Sequence, residues 1–170
     1  MARALSTRLG LRFTCEYIDP IDLSTPTDSM DYSLSQALAT GTGANKADRL
    51  FHDSYSVVNT TQSIDLATIT DAFGQTLVLV KCNGVLVVNK NTTAGQYITI
   101  DPTVANSLDF GLTGLVDDNV EIQIDPLGCF LIWSPVDKIV IDGTHKIIGL
   151  DSTGSGATVA VDVIVIGATA

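Results

Sequence analysis

Glutamate and basic residues are scarce in this chain. Of its 19 acidic residues only Glu16 and Glu121 are glutamates, and they face 9 Lys and Arg, giving a net charge of −10. Aspartate favours turns and caps, so few long solvated helices are expected. The charge balance argues against direct nucleic-acid binding, which needs a basic patch to neutralise phosphates, and points to protein partners. Long apolar runs are missing too. No stretch approaches the roughly 18 apolar residues of a membrane-spanning helix. Residues 1–10 lack the apolar centre of a secretory signal, so the chain is expected to be used as written. Cys15, Cys82 and Cys129 are odd in number and far apart, and reduced, buried thiols are expected rather than a disulfide framework or zinc site.

Catalytic signatures are equally thin. There is no GxSxG elbow, HExxH helix, Walker loop or CxxC pair. His52 and His145 read as exposed polar residues rather than bases or ligands. The glycine-rich 149–156 segment has no following Lys and leads into a strand pattern, which makes it a hairpin loop rather than a phosphate loop. Asp117, Asp118 and Asn119 lack the calcium-loop spacing and its closing Glu, and read as a turn. No catalytic, cofactor-binding or metal-binding residue is therefore assigned, and an enzyme is not expected.

What the chain does have is apolar, β-branched sequence punctuated by turn residues. At 170 residues it suits one domain with an appended arm, burying about 70% of its unfolded surface and exposing roughly 8,000 Å². Its charged fraction of 16% and mean hydropathy of +0.32 are apolar for a free-standing monomer, where about 25% is usual, and suggest contacts with other chains.

From residue 53 onward strand signals recur between turns: 55–66, 80–89, 96–100, 120–124, 129–133, 138–141 and 159–166. The last run places Val159, Val161, Val163 and Val165 on one side and Ala160, Asp162, Ile164 and Ile166 on the other, with burial on both faces expected at 164–166. Residues 70–74 suit a short helical turn. Asn83-Gly84 fits either a tight hairpin turn or a continuous, bulged strand, and the strand is preferred because a hairpin would leave two short, almost wholly apolar arms.

Residues 1–52 read differently. Beyond a short strand over 11–17 they are rich in Ser, Thr, Asp, Gly and Pro, which suggests an arm. Met30, Leu34 and Leu38 stand at i, i+4 and i+8, which predicts one short helix over 29–39 stopped by Gly41. Arg3, Arg8 and Arg12 make the beginning of the chain locally basic, either to dock on an acidic neighbour or simply as a solvated tail. The expected fold is all-β, an antiparallel β-sandwich or jelly-roll-like domain over 53–170 preceded by an extended N-terminal arm over 1–52 with at most one short helix.

Over 53–166 the chain resembles a group of small virion structural proteins of tailed double-stranded DNA bacteriophages. The resemblance rests on Asp71, Phe73 and Gly74 before a strand with embedded Lys81, on the turn of Asn89, Thr92, Thr93, Ala94 and Gly95, on Pro126 and Gly128 before 130–133, and on a closing strand at 163–167. It implies a β-sandwich that decorates or cements a capsid exterior. On that reading the partners are the major capsid protein and sister subunits, with a trimer favoured and neither nucleic acid nor membrane bound. Arg3, Arg8, Arg12, Leu34, Leu38, Trp133, Ile164 and Ile166 are the expected interface residues. The alternative is a tail or receptor-binding module that stacks host glycans on Tyr97 and Trp133.

Overall fold

The computed structural model describes residues 5–18, 27–71, 73–108, 110 and 121–170. Two antiparallel sheets face each other in a sandwich-like all-β body. The larger contains β4 (Arg49–Val58), β6 (Lys81–Asn89), β9 (Cys129–Trp133), β10 (Ile139–Val140) and β12 (Thr158–Ala168). In it β12 lies between β4 and β6, and the other edge of β6 pairs with β9 and then β10. The second sheet runs β5 (Thr61–Asp65), β11 (Ile147–Asp151), β7 (Ile98–Ile100), β8 (Ile122–Ile124).

The period-two pattern of β12 explains the arrangement. Val159, Val161, Val163 and Val165 are fully buried, and with Val85 and Val87 of β6 they pack in one core with Ile64, Ile98, Ile148 and Leu150 of the second sheet. Each such side chain contributes on the order of 1.5–3 kcal/mol by leaving water. Ile164 and Ile166 are only half-buried, on the opposite face, so the expected burial on both faces is not complete.

β6 continues through Asn83-Gly84, as preferred from the sequence, and no hairpin forms there. Its register with β12 shifts between Ile166, opposite Gly84, and Gly167, opposite Cys82, which leaves Asn83 as the extra residue of a bulge. Gly84 has a packing role. A Cβ there would stand 2.5 Å from Cε3 of Trp133, so only glycine admits the indole against the strand.

The largest departure from expectation lies before residue 49. The segment predicted as a helix over 29–39 belongs to β2 (Thr27–Thr40), which pairs antiparallel with β1 (Thr7–Ile18) from Thr7↔Leu38 to Ile18↔Thr27. A spacing of four residues returns to the same face in a strand as well as in a helix, so Met30, Leu34 and Leu38 fit both, and pairing with β1 decides between them. The arm is thus a regular two-stranded hairpin. Its base is extended by β3 (Lys46–Ala47), parallel to the end of β2. The expected boundary at 52/53 falls inside β4, whose Phe51 already lies in the core.

The turns that carry the sequence pattern have identifiable hydrogen bonds. Asp71 Oδ1 accepts from the backbone N–H groups of Phe73 and Gln75, and Gly74 takes φ +74°, closing a tight loop rather than a helical turn. Asn89 is buried and donates to the carbonyls of Gln96 and Ile124, while Asn91 donates to the carbonyl of Thr158 and accepts from Ala160 N–H. These two amides tie the 90–97 loop to β12 and to the second sheet. The 149–156 segment joins β11 in one sheet to β12 in the other, so it is a crossover between sheets and not the expected hairpin loop.

Candidate functional site

The hairpin is amphipathic, and its apolar face is uncovered. Alternation and register put Leu11 opposite Leu34, Phe13 opposite Tyr32, Cys15 opposite Met30, and Tyr17 opposite Asp28, all on one face. Leu11, Phe13, Tyr17, Met30, Tyr32 and Leu34 are 40% to 65% exposed. Every residue of 10–18 and of 27–35 is exposed, because these stretches pack on each other and not on the sandwich. The other face is mostly polar, with Arg8, Thr14, Glu16, Ser29, Ser33 and Ser35, and carries one exposed apolar residue, Ile18, at its far end. There Arg12 Nε and Nη2 donate to the two carboxylate oxygens of Asp31 at 3.1 and 2.7 Å, which raises the guanidinium pKa further. Both groups are largely in water, so this fork aligns the strands more than it stabilises them.

A second apolar surface covers the outside of the larger sheet. Register places Leu131, Leu86 and Ile164 side by side in one row, ending at His52 on β4, with Cys129, Val88 and Asp162 in the next row. Trp133, Gly84, Ile166 and Leu50 form the row on the other side. Leu131 and Leu50 are exposed, whereas Leu86, Val88, Ile164, Ile166 and Trp133 are half-buried. The acidic member, Asp162, is held by Lys90 Nζ at 3.2 Å and by the Ser54 hydroxyl, and both lower its pKa.

The two surfaces meet at the foot of the hairpin. Trp133 Nε1 donates to Gln36 Oε1 at 2.8 Å, and Gln36 lies on the apolar side of β2. Asn45 N–H donates to the Pro135 carbonyl at 2.8 Å, and Lys138 Nζ donates to the Thr42 carbonyl at 2.6 Å. Lys138 is buried, and desolvation followed by the nearby charge of Lys81 lowers its pKa. The hairpin therefore has a fastened base and an unsupported shaft. Beside the base lies a groove of about 500 Å³ whose walls include Phe110, Ile132, Trp133, Lys138 and His145. Its one buried cation already serves the Thr42 carbonyl.

The expected interface residues separate into distinct places. Arg3 lies outside the described residues. Arg8 and Arg12 are on the polar face of the hairpin and Leu34 on its apolar face, whereas Leu38 is buried at the base rather than available to a partner. Trp133, Ile164 and Ile166 come together on the outer sheet face. Sequence reasoning missed Leu11, Phe13, Tyr17, Met30 and Tyr32. Their signal was the strict alternation of Leu9, Leu11, Phe13, Cys15 and Tyr17, matched by that of Met30, Tyr32 and Leu34.

The thiols differ from expectation in two of three cases. Cys82 is buried and its pKa is pushed up to about 12 by desolvation, but Cys15 and Cys129 are exposed because alternation sets them on the two uncovered apolar faces. Tyr97 is half-buried, with its hydroxyl against Gly154. His145 and Asp142 share the 142–145 turn, while Asp117, Asp118 and Asn119 lie outside the described residues. Among the described residues, no three His, Cys, Asp or Glu side chains gather as a metal site. Comparisons with protein-family models, curated proteins and solved structures find no match to this chain.

Proposed function

We propose that this chain is a structural protein of a tailed-phage virion, of the kind that decorates and cements the capsid exterior. The observation that carries the reading is the amphipathic hairpin, whose apolar face projects from the sandwich and is covered by none of the other described residues. A contiguous exposed apolar patch of this size marks an interaction surface. An arm fixed at its base and apolar along its length suits a protein that spans neighbouring subunits of a shell, where many modest contacts sum through multivalency. The sequence resemblance over 53–166 supplies the virion context. The residues that carry it are structural here: Asp71 closes a loop, and Asn89 opens the loop that includes Gly95.

The glycan-stacking alternative has less support. Trp133 is half-buried, bonded to Gln36 and packed over Gly84, so little of its face is free for a sugar ring. Cryo-electron microscopy of purified particles tests the proposal. Density for this sandwich on the capsid exterior is the expected result, and density confined to the tail overturns the capsid assignment.

A further inference from the structure

We propose that the apolar face of the hairpin of one copy lies on the outer face of the larger sheet of a second copy. The inference rests on the reading of the hairpin as an assembly arm and names what the arm holds. Three observations lead to it.

The first is area. The six exposed apolar side chains of the hairpin present roughly 500 Å², at the upper end for an apolar patch on a monomer. A standard stable interface buries about 800 Å² on each partner, which the hairpin face does not reach alone. The outer sheet face, with Leu131 and Leu50 exposed and Leu86, Val88, Ile164 and Ile166 half-buried, adds further apolar area on the same chain. In a two-fold dimer, where the same two copies exchange hairpins, both faces fall in one interface and its area on each partner approaches the standard size, whereas in a larger ring each contact buries about half of that.

The second is shape and charge. A two-stranded ribbon with alternating side chains packs on a sheet face as one sheet packs on another, about 10 Å away. The chain as a whole carries a net charge of −10, which opposes association of identical copies, yet these two faces are almost free of charge. Among the described residues, the acids at their margins are Asp28, at the far end of the ribbon, and Asp162, already paired with Lys90.

The third is that a chain does not cover its own sheet with its own hairpin. The Trp133–Gln36 contact fixes the foot of the ribbon at one corner of the face, and the ribbon is solvent-exposed from Gly10 onward. Cys15 lies roughly 20 Å further along the ribbon than Leu9, the partner of Gln36. Cys129 lies at the opposite end of β9 from Trp133. The exposed cysteines thus mark the two faces, and the buried Cys82 stays silent to thiol reagents.

Light scattering of the purified full chain, combined with cross-linking by a short bismaleimide, tests the inference. The expected mass is twice 17.9 kDa or a higher whole multiple, with a Cys15–Cys129 link between chains that is lost in Cys15→Ser and in Cys129→Ser. Phe13→Asp disables the hairpin face and Leu131→Asp the sheet face. Each alone gives a monomer with an unchanged circular dichroism spectrum. Mixed, they restore the Cys15–Cys129 link in one orientation only, from the Leu131→Asp hairpin to the Phe13→Asp sheet. A monomeric wild type, or Cys15–Cys15 links that survive Leu131→Asp, overturns the inference. Oligomers that never appear on particles sink the virion reading alone, and particle-bound chains without the inter-chain link sink this inference alone.

Discussion

β12 and β1 are both alternating strands of similar length with apolar residues on one face, and they meet opposite fates. In β12 the Val159, Val161, Val163 and Val165 face is sealed against a second sheet, whereas in β1 the Leu11, Phe13 and Tyr17 face meets water. The same alternation that builds a core in the body leaves a surface to be filled on the hairpin. An isolated two-stranded ribbon is marginal in water, so the order of the hairpin depends on its fastened base, whereas the sandwich holds itself through its core.

The sharpest way to break the comparison is to damage each side in turn. Leu150→Ala, which empties a fully buried site in the second sheet, is expected to cost about 2–5 kcal/mol in urea unfolding. Gly84→Val forces the Trp133 ring off the strand and is expected to cost about 1–3 kcal/mol with a red-shifted tryptophan emission; unshifted emission would refute the packing role. Lys138→Met removes the bond to the Thr42 carbonyl, and a loss of about 1 kcal/mol is expected, read locally as faster hydrogen exchange over 36–47 with the body unchanged.

A smaller effect is expected from acid. Asp142 accepts from Thr144 and His145, which lowers its pKa from 3.8 to about 2. A depressed carboxyl pKa contributes stability that is complete above the unfolded value and is lost as pH falls through the folded one. The urea midpoint should therefore fall between pH 3.8 and about 2, and Asp142→Asn should flatten part of that fall. Smallest of all, Phe13→Ser on the hairpin should change the stability of the isolated monomer by no more than about 0.5 kcal/mol, because the side chain it removes is more than half exposed and packs on no core.

Much of the body was legible because a single physical signal dominates there. Where strands pack on a core, apolar alternation marks both the strand and its buried face, as in β12, and the bounds of β9 match the apolar run 129–133. The bulge at Asn83 was legible as a preference, but the reason for Gly84 was not, since Trp133 lies far away in sequence. The hairpin was misread because Met30, Leu34 and Leu38 sit at multiples of four, which two periodicities share. Only the partner strand, with Phe13 against Tyr32, separates them. Cys15 and Cys129 were expected inside because free cysteine is among the most buried residue types, but alternation puts both on uncovered apolar faces. The candidate site was therefore half visible, its sheet residues Trp133, Ile164 and Ile166 read directly and its hairpin residues hidden until the strands paired.

The unbroken register of β1 with β2 has a geometric consequence. Twelve residues at the strand rise make a rod of about 40 Å, graduated every two residues by a side chain on the same face. A rod of fixed pitch, clamped at one end, sets distance as well as contact. Moving any contact along it by one graduation shifts that contact by about 7 Å, so positions on this face are spaced in fixed steps.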